Sequence, residues 1–561
     1  MQFFGIRKKS KLTTEINPDE ILIDASNVAE FDRDQFEGRI ERPLGRRSFY
    51  MAGGLMALLF VAYVARASDL QLVNGPAYAL QAKENQLSQK VIFADRGILE
   101  DRNGTPLAYN ERASVDDDFA QRAYDGAPGL AHVVGYVQPP AKDSTGTYYR
   151  DAFTGLDGAE KAFDSQLAGT NGLKLSETDA KGKVVSESVI QPPVAGQTLK
   201  LSIDANVTSG LYNILAERAT AAHAVGAAGV IMNVKTGEIL AMTSYPEYSS
   251  TAMETGDSAA IASYNSNPSQ PFLDRATDGL YAPGSIIKPI MAAAGLQEGV
   301  ITPSTLITST GQISVPNPYD PAHPSIFKDW RVNGVMTVRD ALAVSSDVFF
   351  YEVGGGYQNQ PGLGISNIDK YFAMFGYGKD AGLPGFSEQA GTIPTPAWKA
   401  VNFPADPTWR LGDTYHTAIG QYGMQITPLQ AVREASAIAN GGTLLTPSLV
   451  ASTTPKGTKL PIDPQNLEVV REGMREGVQT GISTAVNFPF VAVAAKTGTA
   501  QIGLHNEYEN AWMIGFWPYN DPQYAYAVVL DRLPSGTTVG GASVMYDFFT
   551  WMEANDPQYL Q

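Results

Sequence analysis

Residues 281–299 read YAPGSIIKPIMAAAGLQEG and combine a turn, a hydroxyl, an amine and a helix in one short stretch. The Pro283–Gly284 pair predicts a break, and the alanine-rich run after it predicts a helix that begins at Ser285. Lys288 follows three residues later and shares a face with Ser285. A lysine can take the proton of a serine when burial and nearby positive charge keep the amine neutral. Alone, S-x-x-K is a weak pattern, and the alternative is a solvated Ser/Lys face.

A second polar pattern lies in ALAVSSDVFFYEV, residues 341–353. The apolar residues around it predict a helical hairpin whose turn presents Ser345 and Asp347. A second hydroxyl, at Ser345, can relay a proton between an amine and a leaving nitrogen. Taken alone, the pattern is better explained by a helix N-cap, because Ser and Asp are favoured there.

The third pattern is VAVAAKTGTAQ, residues 491–501, in which a run typical of a buried strand ends in a Lys-Thr-Gly-Thr sequence. Lys496 offers a positive charge to a carboxylate, and Thr497 and Thr499 offer hydroxyls. Gly498 permits a close approach of two backbones. An amide of an edge strand can also complete an oxyanion hole. The alternative is a strand end with a solvated lysine.

The segments around these patterns predict the fold class. AAGVIMNVKTGEILAMTSYP, residues 227–246, predicts a central hairpin of an antiparallel sheet. Residues 282 to about 445 have mostly helical patterns, and strands return at 490–502 and 509–530. Strands, then helices, then strands indicate an α+β domain with one sheet.

A separate β-rich module precedes this domain. In KVIFADRGILEDRNGTPLAYN, residues 90–110, the Asn103–Gly104 pair is a strong hairpin signal. Residues 110–196 are rich in Gly, Asp and Thr and predict short strands only. The hairpin carries charged residues that either form an internal ion-pair network or face a partner, namely Arg96, Asp101 and Arg102.

The stretch FYMAGGLMALLFVAYVA, residues 49–65, carries no charge. As a helix it would be about 25 Å long, close to the thickness of the bilayer's hydrocarbon core. Arg46 and Arg47 precede it, so the positive-inside rule places the N-terminus in the cytoplasm and the rest outside. We expect a single uncleaved anchor. A signal peptide cleaved near Ala65, a twin-arginine export signal and a buried core helix are the alternatives.

Composition narrows the classes of protein further. The chain has 561 residues, 43% of them hydrophobic and 18% charged, which is an ordinary globular balance. A net charge of -17 is repelled by nucleic acid, so no nucleic-acid partner is expected. The lack of cysteine excludes disulfides and thiol catalysis. Attack by a hydroxyl with the help of lysine needs no metal and no cofactor.

The three patterns in this order are the signature of penicillin-recognising serine acyltransferases. The chain resembles a class B penicillin-binding protein from about residue 66 to 535. Further matching segments are RGILEDRNGTPLAYN, GLDGAEKAFDSQLAGTNG, KTGEILAMTSYPEY, GDTYHTAIGQYGMQITPLQ and NAWMIGFWP. The S-x-D variant, FKDWRVNGVMTVRDAL and GFSEQAGTIPTPAWK are more similar to the elongation-type, rod-shape branch than to the division branch.

The resemblance implies a penicillin-binding/serine β-lactamase-like transpeptidase domain, with an antiparallel sheet flanked by helices, on an extended β-rich pedestal. The implied layout is a cytoplasmic tail at 1–47, a transmembrane anchor at 48–67, a pedestal or dimerisation-like domain at 68–196 and a transpeptidase domain at 197–561. The catalytic domain would lie on the periplasmic or outer face of the cell membrane. No glycosyltransferase motif is present, so glycan polymerisation is not expected.

The resemblance also implies roles for the first two motifs. Ser285 would be the acylated nucleophile, and Lys288 would be the base that takes its proton. Ser345 would relay protons, and Asp347 would position the relay and the peptide.

The third motif would complete the site. Lys496 would support the charge network. Thr497, Gly498 and Thr499 would bind the substrate, with its terminal carboxylate on the two threonine hydroxyls. The amides of Ser285 and Thr499 would form the oxyanion hole.

The implied reaction is cross-linking of peptidoglycan. The serine would attack the D-Ala-D-Ala bond of a stem peptide and expel D-alanine, and an amine of a neighbouring stem would resolve the acyl-enzyme. The implied partners are stem peptides, β-lactams, the membrane and a SEDS-type glycan polymerase. The alternatives are a D,D-carboxypeptidase or β-lactamase of the same superfamily, an antibiotic-sensing receptor, and a scaffold that mainly activates a glycan polymerase.

Three departures from the family pattern stand out. Asp347 replaces the commoner asparagine, which puts amide-type recognition of the substrate in doubt. GQYG, residues 420–423, stands where GQG is usual. The stretch between Asn110 and Gly155 is short, so the membrane-distal head of the pedestal looks reduced.

Overall fold

The computed structural model describes residues 45–84, 87–112, 114, 117–179, 184–317, 320–451 and 454–561. The chain separates into two compact units, Met1–Leu87 and Ser88–Gln561. The predicted cytoplasmic tail lies outside the described residues as far as residue 44. The predicted boundaries between tail, anchor, pedestal and transpeptidase domain stay predictions.

The N-terminal unit contains one long apolar helix. The α-helix Arg46–Ser68 continues through a π-helical turn, Asp69–Val73, and a further helix spans Gly75–Glu84. The most apolar window of Arg46–Val73 has no buried part. This helix is long and apolar enough to cross a membrane, as the uncharged stretch at residues 49–65 predicts.

Two small sheets make up most of the predicted pedestal. The strand orders are Leu199–Lys200, Leu99–Glu100, Pro106–Glu111, Gln121–Tyr124 in one sheet and Leu87–Ile92, Gly172–Thr178, Val184–Gln191 in the other. The hairpin predicted at Asn103–Gly104 is present, with Leu99 opposite Ala108. The hairpin formed by Gly172–Thr178 and Val184–Gln191 is longer than the short strands predicted for this stretch.

The charged residues of the first hairpin are largely internal. Arg96 is 2% exposed and Asp101 is 1% exposed. Arg96 Nε donates to Glu160 Oε2 at 2.6 Å, and Arg122 Nε donates to Glu160 Oε1 at 2.7 Å. Asp101 Oδ1 accepts the backbone N–H groups of its own turn. Of the two interpretations left open by the sequence, the internal network is correct for Arg96, and Asp101 is an internal turn residue.

The transpeptidase part is built on a five-stranded antiparallel sheet. Its strands are β1 (Gly226–Asn233), β2 (Ile239–Tyr245), β3 (Ala494–Ile502), β4 (Tyr508–Trp517) and β5 (Tyr524–Pro534). The strand order is β2-β1-β5-β4-β3. The predicted hairpin of β1 and β2 is present, but the prediction that it is central was wrong. β5 is central because it pairs with both β1 and β4, and β2 is an edge.

Helices cover both faces of this sheet. On β4, Trp512 and Ile514 enter one core while Ala511 and Met513 enter the other, because successive side chains of a strand alternate. The helices Ala205–Ala221 and Gly541–Asn555 line the second core, and Pro428–Ala439 lines the first. The predicted α+β class, an antiparallel sheet flanked by helices, is confirmed.

Three helices between β2 and β3 hold or adjoin the first two predicted motifs: α1 (Lys288–Gln297), α2 (Val338–Val344) and α3 (Asp347–Gly355). The other α-helices span Ala131–Val134, Gly158–Ala162, Asp164–Leu167, Ser250–Thr255, Ser258–Ser266, Ile365–Met374, Pro396–Asn402, Leu411–Thr417 and Pro464–Gln479. The 3₁₀ turns span Gly284–Ile287, Thr484–Val486 and Pro557–Leu560. Small strand pairs are Val137–Gln138 with Thr154–Gly155, Ala141–Lys142 with Tyr148–Arg150, Ile307–Ser309 with Gly334–Met336, Gln312–Val315 with Ser325–Lys328, and Thr443–Leu445 with Gly457–Lys459.

Candidate active site

Ser285 lies on the single 3₁₀ turn Gly284–Ile287, which leads directly into α1. The α-helix therefore begins at Lys288, later than the sequence predicts. From residue 283 to residue 296 every side chain is buried except Ser285, which is partly exposed. A buried apolar run thus presents one hydroxyl to solvent, while the Lys288 side chain is 0% exposed.

Two glycines allow this turn to lie against β3. Gly284 has φ +56°, and a Cβ there would meet Thr499 O at 2.8 Å. Gly498 is buried, and its Cβ would meet Pro283 O at 2.8 Å. The close backbone approach expected of Gly498 is therefore an approach to the turn that carries Ser285.

The turn between α2 and α3 brings the second motif to the same place. Ser345 ends α2 with φ 59° and ψ 41°, the left-handed region that non-glycine residues rarely adopt. Ser346 is the N-cap of α3 and accepts the N–H of Phe349. A two-residue turn joins the two helices, and the N-cap interpretation also holds, but for Ser346. The two residues on either side of this cap, Ser345 and Asp347, face the lysines.

Both motif lysines converge on Ser345. Lys288 Nζ donates to Asp347 Oδ1 at 2.7 Å, to Ser345 O at 2.8 Å and to Ser345 Oγ at 3.3 Å. Lys496 Nζ donates to the same Ser345 Oγ at 2.8 Å and to Thr497 O at 2.9 Å. Within the part of the chain that the structure describes, no hydrogen bond joins the Ser285 hydroxyl to Lys288. In the resting site, Lys288 is therefore hydrogen-bonded to Asp347 and Ser345.

The two lysines differ in their electrostatic surroundings. Lys496 is 1% exposed, and burial together with the neighbouring charge of Lys288 lowers its pKa well below the usual value. The carboxylate of Asp347 raises the pKa of Lys496 and offsets only part of this shift. Lys288 instead contacts that carboxylate directly, at 2.7 Å. The role of base that the resemblance implies for Lys288 needs a neutral amine, whereas here Lys288 is paired with a carboxylate.

These residues line one cleft with a volume of about 370 Å³. Thr497 and Thr499 point to the same side of β3, where Thr499 is exposed and Thr497 is half-buried. They stand beside the serine, as a pair of hydroxyls that bind a carboxylate should. The cleft is lined by Ser285, Trp330, Ser345, Asp347, Ile482, Thr497 and Thr499, and the two lysines lie buried beneath it.

Sequence reasoning missed three residues at this site. Trp330 and Ile482 form apolar walls of the cleft and are 52% and 36% exposed. Trp330 Nε1 donates to Val344 O at 3.1 Å. Asp329, next to Trp330, accepts hydrogen bonds from the turn between α2 and α3. In the sequence, the segment FKDWRVNGV indicated only a likeness to the elongation-type branch. No motif spacing identifies its Asp-Trp pair as part of an active site.

Comparison with known proteins identifies the class. A sequence profile of the penicillin-binding protein transpeptidase domain matches residues 227–547, which is more than half of the chain. A profile of the penicillin-binding protein dimerisation domain matches residues 117–201. The chain belongs to the penicillin-binding protein transpeptidase family.

Particular relatives narrow the class further. The chain is 28% identical to the peptidoglycan D,D-transpeptidase MrdA of Escherichia coli K12, over 88% of this chain and 92% of that protein. It is 29% identical to Pseudomonas aeruginosa PBP2 in a crystal structure with WCK 5153, which covers 83% of this chain and 98% of that one with a TM-score of 0.66. A chain of a peptidoglycan synthase complex has the same fold at 24% identity, with a TM-score of 0.69 over 91% and 98% of the two chains. The predicted likeness to the elongation-type branch is confirmed.

Proposed function

We propose that this chain is a peptidoglycan D,D-transpeptidase that cross-links stem peptides through an acyl-enzyme on Ser285 and is a target of β-lactams. The observation that carries the proposal is the convergence of two buried lysines on the Ser345 hydroxyl, beneath a cleft that exposes Ser285. This arrangement supplies a nucleophile, a path for its proton and a site for the donor's carboxylate.

Acylation needs an unprotonated amine near Ser285. Lys288 has the position of that base, but its hydrogens point to Asp347 and Ser345. Lys496, whose pKa is strongly lowered, can accept a proton from Ser345 Oγ, and Ser345 can in turn accept one from Lys288. This shuttle moves one proton from Lys288 to Lys496 and leaves Lys288 able to accept the proton of Ser285.

The remaining steps use the same groups. Ser285 Oγ bonds to the carbonyl carbon of the penultimate D-alanine, and the C–N bond breaks as the leaving nitrogen receives the proton. The Thr497 and Thr499 hydroxyls hold the terminal carboxylate, and the amides of Ser285 and Thr499 stabilise the oxyanion. An amine of a second stem peptide then attacks the ester carbon and loses a proton to Lys288, and Lys288 passes this proton to Ser285 Oγ as the ester C–O bond breaks.

Mass spectrometry of the full-length protein in detergent, after incubation with benzylpenicillin, tests this function. One adduct on the peptide that contains Ser285 is expected, and none in Ser285→Ala. A D-Ala-D-Ala peptide supplied with an acceptor amine should give the cross-linked product. Equal labelling of Ser285→Ala would refute the nucleophile, and release of D-alanine without cross-linking would indicate a carboxypeptidase.

The topology is part of the same proposal. The apolar helix Arg46–Val73 anchors the chain once in the cell membrane, with the N-terminus cytoplasmic and residues after it outside. The support is Arg46 and Arg47 at its N-terminal flank. A reporter fused after residue 561 should behave as external and one at residue 30 as cytoplasmic. A mature protein that begins near Ser68 would instead show cleavage.

A polymerase partner completes the proposal. Cross-linking uses newly made glycan, and the chain carries no recognised polymerase motif. The pedestal is the surface that we assign to a polytopic, SEDS-type glycan polymerase, and the supporting observation is its edge strand, Val184–Gln191, beside which no further strand lies among the described residues. All eight residues of that strand are exposed.

A further inference from the structure

The turn between α2 and α3 is held in an unusual conformation. The turn contains only Ser345 and Ser346, because α2 ends at Val344 and α3 begins at Asp347. Ser345 adopts φ 59°, and non-glycine residues with such a φ persist only where their surroundings over-determine them. Such positions concentrate at functional sites, and here the strained residue is the one that both lysines contact. Something outside the turn must fix it.

A single carboxylate meets this need. Asp329 Oδ2 accepts Ser346 Oγ at 2.5 Å and Val348 N at 3.3 Å, and Asp329 Oδ1 accepts Asp347 N at 3.1 Å. Three consecutive residues that follow Ser345 are thus bound to one side chain. Asp329 is 9% exposed, so water does not compete strongly for these bonds. Its charge also lies at the N-terminus of α3, where a helix favours an anion.

Three further donors fix the carboxylate itself. Ser309 Oγ donates at 2.9 Å, Asn333 Nδ2 at 3.1 Å and Trp330 N at 2.9 Å. The neighbour of Asp329 reinforces the same turn, since Trp330 Nε1 donates to Val344 O. Asp329 and Trp330 together therefore bind the turn on both sides of Ser345.

We infer that Asp329 is a positioning residue, which holds the Ser345–Asp347 turn so that Ser345 Oγ and Asp347 Oδ1 reach the two lysines. Asp329 does not line the cleft and acts only through the turn. The inference rests on the proposed function, because it assigns a device to the same site. Loss of the carboxylate should displace Asp347 from Lys288 before it disturbs the sheet or the core.

The test compares acylation by benzylpenicillin in full-length Asp329→Asn and Asp380→Asn. The asparagine side chain would place its own N–H donors against the N–H and O–H donors of the turn, so the turn should shift. We expect the acylation rate constant to fall about 10- to 100-fold, because small displacements of reacting groups cost this much. The ascending limb of its pH profile should also move to lower pH, because Asp347 no longer offsets the lowered pKa of Lys496. Asp380→Asn makes the same change at an exposed carboxylate and should stay within about 3-fold of wild type.

A merely structural role predicts a different result. Asp329→Asn would then lower only the folded fraction, and its acylation rate and pH profile well below the unfolding temperature would equal those of wild type. If Asp329→Asn does not fold, Ser346→Ala, which removes one donor of the turn, decides the matter. It should acylate more slowly than Asp380→Asn, and equal rates in these two variants would overturn the inference. Wild-type protein that forms no adduct at all would refute the proposed function instead.

Discussion

Lys288 Nζ lies 2.7 Å from Asp347 Oδ1, so the lysine next to the candidate nucleophile is paired with a carboxylate rather than an amide. An asparagine at residue 347 would hydrogen-bond to the lysine but would not balance its charge. The buried amine with the lowered pKa is Lys496, on the other side of Ser345. In the mechanism that we propose, a proton passes between the two lysines before the serine attacks.

Replacement of Lys288 by arginine tests the base. Arginine stays charged and cannot accept the proton of Ser285, so Lys288→Arg should lower the acylation rate by about three orders of magnitude or more. Stopped-flow or gel measurements with a fluorescent penicillin give the rate. Lys370→Arg, at a lysine whose side chain is 51% exposed, is the matched control and should acylate normally. Near-normal acylation of Lys288→Arg would remove Lys288 from the mechanism.

Replacement of Asp347 by asparagine should change the pH dependence. The carboxylate raises the pKa of Lys496 against the opposing effects of burial and Lys288. Without the carboxylate that pKa falls further, so the neutral amine persists at lower pH and the ascending limb of the acylation profile should shift to lower pH. Rates measured between about pH 5 and pH 10 will show it. The exposed Asp380→Asn variant should keep the wild-type profile, and an unshifted profile in Asp347→Asn would contradict the proposed coupling.

The three motifs and the order of strands and helices were predictable because each depends on local pattern. Apolar runs typical of buried strands indicated β1 and β3, and the Asn103–Gly104 pair indicated the first hairpin of the pedestal. The position of β5 at the centre of the sheet was not predictable, since strand order depends on long-range pairing. The Lys288–Asp347 ion pair and the Asp329 bonds join residues far apart in sequence. No spacing along the chain encodes such contacts.

The burial of Arg96 shows the same limit. A charged hairpin is ordinarily exposed, but here Arg96 and Arg122 share Glu160, and all three side chains are 0% exposed. Removal of Glu160 leaves the buried Arg122 without its carboxylate partner and leaves Arg96 with Asp164 alone. Glu160→Gln should therefore lower the free energy of unfolding by about 3–5 kcal/mol.

Chemical or thermal denaturation of the full-length protein measures the decrease in the free energy of unfolding caused by Glu160→Gln. The matched control is Asp118→Asn, which breaks the exposed pair with Lys142 at 2.6 Å. Exposed pairs contribute about 0–1 kcal/mol, so this variant should unfold almost as wild type does. Equal effects of the two variants would show that burial of the Glu160 network adds nothing to stability.

Glu352 should make the protein less stable as pH rises. Burial raises the pKa of its carboxyl from 4.5 to about 7. Between these values the folded state holds a proton that the unfolded state has lost. The associated stability is complete below the unfolded pKa and is lost as pH rises through about 7, by at most about 3 kcal/mol.

Thermal unfolding between about pH 5 and pH 8 tests this dependence. Glu352→Gln cannot titrate and should flatten the decline. Asp369→Asn should act in the same way, because burial raises the pKa of Asp369 to about 7 as well. Glu217→Gln, at an exposed carboxylate, should leave the decline unchanged. A decline that persists in both buried variants would assign the pH dependence to other groups.

The pedestal's edge strand is where we expect the polymerase to bind. Val184–Gln191 pairs with Gly172–Thr178 on one side, and among the described strands none pairs with its other side. Its exposed side chains include Val185, Val189 and Ile190, at 68%, 59% and 61%. A free apolar edge exposes unpaired backbone groups that soluble proteins normally cover.

Val189→Lys should therefore reduce co-purification of a co-expressed SEDS-type polymerase and reduce glycan synthesis, while penicillin acylation of Ser285 stays intact. The control is Val401→Lys, at a valine of the transpeptidase part that is 78% exposed, and it should affect neither. If Val189→Lys folds, acylates and still stimulates the polymerase normally, this strand is not the docking surface.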